Sequence, residues 1–355
     1  MRVGILTSGG DCQALNATMR GLALTLYRNV KDVEIIGFID GYKGLMYEKY
    51  KKMKPKDFYD ILNVGGSILG NSRCPFKRMR IIENGFDKVK AMKNTYKKLE
   101  LDCLVVLGGN GSIKSANMLS QEGLNVIALP KTIDNDAWGT DYTFGYSSAT
   151  AIATRYLDEI KTTAASHSRV FVIEVMGHKV GHICLSAGIA AGADVILLPE
   201  IPYDIKVVAK KVKETLKNEK NYAIIACAEG AISEADALMK RKDYKAKVLA
   251  RNGRSVVYEV ADELSQEIDA EIRVSCIGHA QRGGNPNSYD REISTRFGVE
   301  GARLIIKKHY GEYVVLQGNH VTHIPLEATA GKLKFVDTEG EIVQSAKLVG
   351  ISFGE

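Results

Sequence analysis

Several features are scarce in this sequence of 355 residues, and each scarcity argues against a class of protein. The six cysteines form no CxxC pair and show no Cys/His ligand spacing, so neither a disulfide framework nor a zinc site is predicted. No apolar run reaches the roughly 18 residues that a membrane-spanning helix requires. The first residues also lack the basic and apolar regions of a signal peptide. We therefore expect a cytoplasmic protein that binds no membrane.

Positive charge is in slight excess, and its lysine-rich run at 49–56, interrupted by Met53 and Pro55, is expected to be a solvated face. The formal net charge is +6, and 25% of the residues are charged. The absence of a clustered basic tract argues against a nucleic-acid partner, whereas small anionic ligands remain possible. With 45% apolar residues, a chain of this length can bury a large core and is expected to form two domains.

Short apolar runs alternate with segments of helical periodicity along most of the chain. The clearest predicted strands are residues 3–6, 103–107, 126–129 and 170–175. The clearest predicted helices are residues 16–27 and 148–161. This alternation predicts a mostly parallel, doubly wound α/β fold. The polar stretch at 232–254 interrupts the pattern and is expected to be a surface excursion.

Two of the predicted strands are followed by a glycine loop and then a helix. The loops are residues 7–11 (TSGGD) and 108–112 (GGNGS). Strand, glycine loop and helix together offer backbone N–H groups and a helix N-terminus to phosphate, and glycine allows an anion to approach the backbone closely. A third glycine loop at 65–73 ends in Arg73 and leads to Arg78. Arginines there suit phosphate, although solvated surface arginines explain that pattern equally well.

A lysine, a hydroxyl group and two carboxylates follow the strand at 126–129. They are Lys131, Thr132, Asp134 and Asp136 in the sequence PKTIDND. In open α/β folds, ligands bind beyond the carboxyl ends of the strands. Asp134 and Asp136 are two residues apart, so in an extended loop they would point the same way, one taking a proton and the other holding a cation. An Asx-rich turn that caps the strand is the structural alternative.

Five motifs resemble, in order and spacing, those of the 6-phosphofructokinase family. They are residues 7–11, 108–112, 130–136, 175–177 (VMG) and 279–284 (HAQRGG). The resemblance implies two doubly wound, Rossmann-like α/β domains with the active site in the cleft between them. Residues 1–146 plus about 281–330 would bind the phosphoryl donor, and residues 147–280 plus about 331–355 would bind fructose 6-phosphate. The implied reaction is phosphoryl transfer from ATP to the 1-hydroxyl of fructose 6-phosphate, with Mg²⁺.

The resemblance also implies a role for each matched position. Asp134 would be the general base, with Thr132 and Lys131 assisting, while Asp136 and the position of Asn110 would hold magnesium. The implied donor-binding residues are Gly9, Arg73, Cys74, Arg78, Gly109, Asn110, Gly111 and Ser112. The implied sugar-phosphate-binding residues are Thr132, Asp134, Met176, Gly177, His178, Glu229, His279 and Arg282. Arg169 and Arg273 match arginines that complete a neighbouring subunit's site, which implies a homodimer or homotetramer.

Four positions depart from the family's pattern. Asn110 stands where an acidic residue usually assists magnesium, and an amide supplies an oxygen without the charge. His178 stands where an arginine usually follows Met-Gly, and histidine is only partly charged near neutral pH. Ile39 and Cys74 replace aromatic residues that flank adenine in bacterial ATP-using enzymes. These departures leave open a non-catalytic, regulatory paralogue that binds sugar phosphate.

Two positions bear on the choice of donor. Family members that use pyrophosphate typically carry an aspartate at the position of Gly111, so the glycine leaves room for a nucleotide's α-phosphate. Lys131 is typical of pyrophosphate users, although the same glycine–lysine pairing occurs in ATP-using relatives. ATP is therefore the predicted donor, and pyrophosphate is the alternative.

Overall fold

The computed structural model of the chain describes residues 1–218, 220–329 and 331–355. These residues form two compact units, and each unit is assembled from two stretches of the chain. Unit 1 comprises Met1–Ser148 and Arg282–Lys334, and unit 2 comprises Ala149–Gln281 and Phe335–Glu355. That unit 1 binds the phosphoryl donor and unit 2 binds the sugar phosphate stays a prediction.

Strands and helices alternate through both units, which confirms the predicted α/β class. The strands are β1 (Arg2–Ser8), β2 (Glu34–Phe38), β3 (Tyr50–Met53), β4 (Cys103–Gly108), β5 (Val126–Pro130), β6 (Val170–Val175), β7 (Val195–Leu197), β8 (Ala223–Ala228), β9 (Ile272–Cys276), β10 (Glu312–Gln317) and β11 (His320–Pro325). The helices are α1 (Leu15–Asn29), α2 (Tyr42–Met46), α3 (Lys88–Lys98), α4 (Asn110–Gln121), α5 (Tyr146–His167), α6 (His182–Ala190), α7 (Ile205–Asn218), α8 (Glu234–Ala237), α9 (Arg241–Ala250), α10 (Val256–Ser265), α11 (Ser288–Ile306), α12 (Leu326–Thr329) and α13 (Glu341–Leu348). Among the described helices, none is both long and apolar enough to cross a bilayer.

Unit 1 is built on a seven-stranded sheet with the order β11-β10-β5-β4-β1-β2-β3. The pairs between β10 and β2 are parallel, whereas the edge strands β3 and β11 are antiparallel to their neighbours. Every residue of β4 and β5 is buried, as expected for parallel strands that are covered on both faces. The carboxyl ends of β1, β4 and β5 therefore meet at one edge of the sheet, where the predicted glycine and carboxylate loops lie.

Unit 2 is built on a four-stranded parallel sheet with the order β7-β8-β6-β9. Its core packs strand side chains against apolar residues of α7 and α10, including Val208, Val212 and Val260. The second stretch of the unit borders β7, because the Ile196 N–H donates to the Ser352 carbonyl at 2.9 Å. All four strands come from the first stretch, and the second stretch adds an isolated bridge beside β7.

The expected surface excursion at 232–254 contains α8 and α9, and ion pairs tie both helices to α10. The Asp236 carboxylate accepts hydrogen bonds from Lys247 Nζ at 2.7 and 2.8 Å. The Arg251 guanidinium makes two parallel bonds to Glu259 at 2.7 and 2.8 Å. Asp236 is only 5% exposed, so this network is partly desolvated and stronger than a surface pair. The excursion is therefore held in a defined position on unit 2.

Candidate functional site

The loops that follow β4 and β5 lie against each other in unit 1. The Lys131 N–H donates to the Gly108 carbonyl at 3.1 Å. A Cβ at Gly109 would lie only 3.2 Å from the Lys131 carbonyl oxygen, so glycine permits this close approach. Helix α4 begins at Asn110, so residues of the glycine loop form its first turn. The N-terminus of α4 is thereby brought next to the PKTIDND loop.

The loop that follows β1 joins the same group. Gly9 has a positive φ of 92°, which favours glycine, and its N–H donates to the Ser72 carbonyl at 3.1 Å. A Cβ at Gly9 would lie 3.3 Å from Lys131 Nζ and 3.7 Å from Ser112 Oγ. The structure thus brings four predicted site residues, Gly9, Gly109, Ser112 and Lys131, into one cluster.

Lys131 is the buried cation of this cluster, with 3% of its surface exposed. Its Nζ donates a hydrogen bond to the Gly10 carbonyl. Burial lowers the pKa of Lys131, and the nearby Arg282 charge acts in the same direction, while Asp134 and Asp11 oppose the shift. Arg282 Nη1 in turn donates to the Asp11 carbonyl at 3.1 Å. Two cationic side chains therefore flank the TSGGD loop, an arrangement that attracts an anion.

The PKTIDND segment forms a turn, and not the extended loop in which Asp134 and Asp136 would point the same way. Asn135 adopts a left-handed conformation with φ 53°, and its Oδ1 accepts from the Thr143 N–H at 3.0 Å. The Asp134 N–H donates to Thr132 Oγ1 at 3.1 Å, and Thr143 Oγ1 donates to the Thr132 carbonyl at 2.7 Å. The bond from Asp134 to Thr132 is an ST turn, the hydroxyl counterpart of the Asx turn in the structural alternative. Together, these bonds hold the backbone of Asp134 in one position.

Asp290 is a buried carboxylate that supports this turn, and sequence reasoning missed it. It has no exposed surface and lies in the first turn of α11. Its oxygens accept from the Tyr142 hydroxyl at 2.8 Å, the Gly145 N–H at 3.0 Å, the Ser148 N–H at 2.8 Å and the Ser148 hydroxyl at 2.5 Å. Asp290 therefore fixes the segment that contains Thr143. Because Thr143 bonds to Thr132 and Asn135, this also fixes the PKTIDND turn that carries Asp134, called the Asp134 turn below. Nothing in the local sequence signals this role, because the partners are about 140 residues away.

Other predicted donor-site residues of unit 1 have different surroundings. Asn110 Nδ2 donates to the Lys332 carbonyl at 2.6 Å, which fixes the amide at the start of α4. Arg78 pairs with Glu83 at 2.7 Å within its own loop, while Arg73 is exposed. The half-buried Cys74 packs against the apolar core of the unit. The space around Gly111 is open, since a Cβ there would have no neighbour within 4 Å.

In unit 2, the loops that follow β6 and β8 meet, and both carry predicted sugar-phosphate residues. The Glu229 N–H donates to the Val175 carbonyl at 2.9 Å, and the Gly230 N–H donates to the Gly177 carbonyl at 3.1 Å. The Met176 N–H donates to Oε1 of the fully buried Gln281 at 3.1 Å. The structure thus brings Met176, Gly177, His178 and Glu229 together, whereas His279 is exposed in the 3-10 helix Gly278–Arg282, which also contains Gln281.

Arg169 and Arg273 share one carboxylate in unit 2. Glu271 lies 2.9 Å from Arg169 Nε and also pairs with Arg273. The hydrogen bond from Arg169 and the two positive charges lower the pKa of Glu271. One carboxylate neutralises only one of two guanidinium groups, so this group of three side chains keeps a net positive charge. That these two arginines complete the binding site of a neighbouring subunit stays a prediction.

The magnesium site that the resemblance implies in unit 1 contains few protein ligands. No group of three or more His, Cys, Asp or Glu that could hold a metal occurs among the residues that the structure describes. Mg²⁺ in phosphoryl-transfer sites typically uses only one or two protein carboxylates and takes its remaining ligands from water and substrate phosphates. Asp136 and the fixed Asn110 amide offer oxygens of the kind that this ion prefers.

Comparison with known proteins bears on both units. The model of the family described as Phosphofructokinase matches residues 2–305. A protein of Spirochaeta thermophila named ATP-dependent 6-phosphofructokinase is 46% identical, over 99% of this chain and 97% of its own length. The ATP-dependent 6-phosphofructokinase 3 of Bacteroides thetaiotaomicron is 42% identical over the full length of both chains.

Solved structures show the same fold. Phosphofructokinase from Pichia pastoris in the T-state superposes with a TM-score of 0.80 at 28% identity, covering 98% of this chain and 36% of that longer one. A pyrophosphate-dependent phosphofructokinase from Nitrosospira multiformis gives a TM-score of 0.82 at 19% identity, over 99% of this chain and 92% of the other. The second likeness is one of fold alone.

Proposed function

Because this chain belongs to the phosphofructokinase family, we propose that it transfers the terminal phosphoryl group of ATP to the 1-hydroxyl of fructose 6-phosphate. The product would be fructose 1,6-bisphosphate, and the reaction would be a step of glycolysis. The observation that carries the proposal is the cluster in unit 1, where two glycine loops, the N-terminus of α4 and the buried Lys131 lie next to the Asp134 turn. Relatives that match over nearly their whole length carry the name of this activity.

The chemistry asks the protein mainly for position and positive charge. Asp134 would take the proton of the attacking hydroxyl. The bond that its N–H donates to Thr132 Oγ1, and the bond from Thr143 to the Thr132 carbonyl, would keep its backbone in place. Lys131 and the α4 N-terminus would stabilise the charge on the transferred group. Mg²⁺, when bound to Asp136 and Asn110, would neutralise donor phosphates. On unit 2, Glu229 and its neighbours would hold the sugar.

The open space at Gly111 supports ATP as the donor. A nucleotide needs that room for its α-phosphate, and a side chain is absent there. Lys131 is the observation that favours pyrophosphate as the alternative donor. The proposal includes a homodimer or homotetramer in which Arg169 and Arg273 complete the site of a neighbouring subunit. It also includes a cytoplasmic location.

A product assay tests the donor directly. Fructose 6-phosphate and Mg²⁺ are supplied with ATP in one arm and with pyrophosphate in the other, and fructose 1,6-bisphosphate is measured. We expect turnover with ATP. Turnover with pyrophosphate alone would overturn the donor assignment. No turnover in either arm, from protein that still binds the sugar phosphate in calorimetry, would establish the non-catalytic paralogue instead.

The variant Asp134→Ser tests the general base. We expect kcat to fall by about two to four orders of magnitude, with the KM for fructose 6-phosphate changed only a few fold, because the lost interaction acts in the transition state. Asp60→Asn, at an exposed carboxylate of the same unit, is the control and should retain wild-type kcat. Near-native turnover of the serine variant would remove Asp134 from this role.

A further inference from the structure

A large pocket in unit 2 extends beyond the predicted sugar-phosphate residues. Its volume is about 1030 Å³, and Glu229 and His178 line one side of it. This lies at the upper end of the roughly 300–1,000 Å³ that small-molecule sites occupy. Residues of α9 also line it, in the segment expected to be only a surface excursion. The pocket is therefore larger than the matched family positions alone would indicate.

One face of α9 lines this pocket. The lining residues of the helix are Arg241, Tyr244, Lys245 and Val248. They follow the three- and four-residue spacing that places side chains on one side of a helix. The ion pairs of Lys247 and Arg251 with residues of α8 and α10 fix the orientation of α9. This face is thus held toward the pocket and is not a mobile surface.

The charges on this face are not balanced by the protein. Of the cations that line the pocket, Arg251 is paired with Glu259, and Arg254 is paired with Asp262 at 3.1 Å. The side chains of Arg241 and Lys245 make neither a hydrogen bond nor an ion pair with any described residue. Two like charges four residues apart destabilise a helix by about 0.2–0.5 kcal/mol. An anionic ligand would offset this repulsion.

We propose that Arg241 and Lys245 form a subsite for a phosphate monoester in the unit 2 pocket. An arginine fork and a lysine ammonium together supply the donors and the two positive charges that a phosphate dianion needs. The aromatic ring of Tyr244 and the side chain of Val248 offer apolar surface beside it. The phosphate belongs either to the acceptor sugar or to a separate phosphorylated metabolite. The acceptor assignment rests on the proposed function, whereas the subsite itself does not.

The double variant Arg241→Gln/Lys245→Gln tests the subsite. Glutamine keeps the helix propensity of α9, so the thermal unfolding midpoint should not fall. Binding of phenyl phosphate, measured by calorimetry, should lose one site or weaken at least about 10-fold, because charge-assisted hydrogen bonds are removed. Lys240→Gln/Lys242→Gln is the matched control, since it removes the same charge from the same segment outside the pocket lining. Its phenyl phosphate binding should equal that of the wild type.

Steady-state kinetics then separate the two sources of the phosphate. If the acceptor supplies it, the KM for fructose 6-phosphate rises about 10-fold or more while kcat stays within about twofold. If a separate metabolite supplies it, KM is unchanged, and the phenyl phosphate site alone is lost. Equal phenyl phosphate binding by the double variant and the wild type would overturn the subsite. Because this binding needs no turnover, failure of the proposed kinase activity would not be mistaken for failure of the subsite.

Discussion

Replacing Asp290 with asparagine should loosen the turn that carries Asp134. The Asp290 carboxylate accepts four hydrogen bonds from Tyr142, Gly145 and Ser148. An asparagine of the same shape has only one acceptor oxygen, and its NH₂ group would face donors. About two bonds would be lost, each worth roughly 1.5–3 kcal/mol when the acceptor is charged. Removing a buried charge offsets part of this loss, so we expect unit 1 to be destabilised by about 3 kcal/mol.

The assay exploits the single tryptophan of the sequence, Trp138, which lies in unit 1. Urea unfolding followed by its fluorescence reports on this unit, and an m-value of about 2 kcal/mol/M predicts a midpoint lowered by 1–2 M. Glu292→Gln, on the same helix, is the control. Its ion pair with Arg296 spans 3.6 Å and is exposed, so it should shift stability by less than about 1 kcal/mol. If both variants unfolded at the wild-type midpoint, the support role of Asp290 would be refuted.

Two further predictions concern the donor and the pH dependence of unit 1. Gly111→Asp should lower kcat/KM for ATP by about 100-fold or more, because its carboxylate repels the nucleotide phosphate. The neutral variant Gly111→Asn should lower kcat/KM much less. Equal losses in the two variants would point to steric hindrance instead. Burial lowers the pKa of Lys334 from its ordinary 10.5 to about 8. Between pH 8 and pH 10.5 the unfolded state therefore binds more protons than the folded state. The free energy of unfolding of the wild type, measured with urea relative to Lys334→Met, should therefore rise with pH between about 8 and 10.5. The rise should be at most about 3 kcal/mol. A difference between the two proteins that stays constant with pH would contradict the pKa shift.

The inner strands could be predicted from the sequence because of how they are buried. Parallel strands covered on both faces appear as continuous apolar runs, as in β4 (CLVVLG) and β5 (VIALP). The edge strands β3 (YKKM) and β11 (HVTHIP) were not predicted, since charged and polar residues interrupt any alternation there. Local pattern is informative where a strand is buried and weak where it meets solvent.

The site could be predicted only where its residues are neighbours in the sequence. The glycine loops and the PKTIDND segment were found because the order of elements brings strand ends to one edge of a sheet. The contacts that support them were not found. Asp290 is 148 residues from Tyr142, and the cationic face of α9 lies in a polar stretch that resembles an ordinary solvated helix. Long-range polar contacts of this kind leave no periodic signal.

The interleaving of the two units has a consequence for synthesis. Neither unit is contiguous, because unit 1 takes up the chain again at Arg282 and unit 2 at Phe335. Helix α11, which supplies Asp290, is translated long after the turn that it supports. The emerging chain must therefore keep the unit 1 sheet without β10 and β11, with the edge of β5 uncovered, until residues 312–325 are made. Exposed strand edges of this kind make a growing chain prone to aggregate. A fold with two discontinuous units makes this protein depend on the speed of its late folding steps, or on chaperones that cover those edges meanwhile.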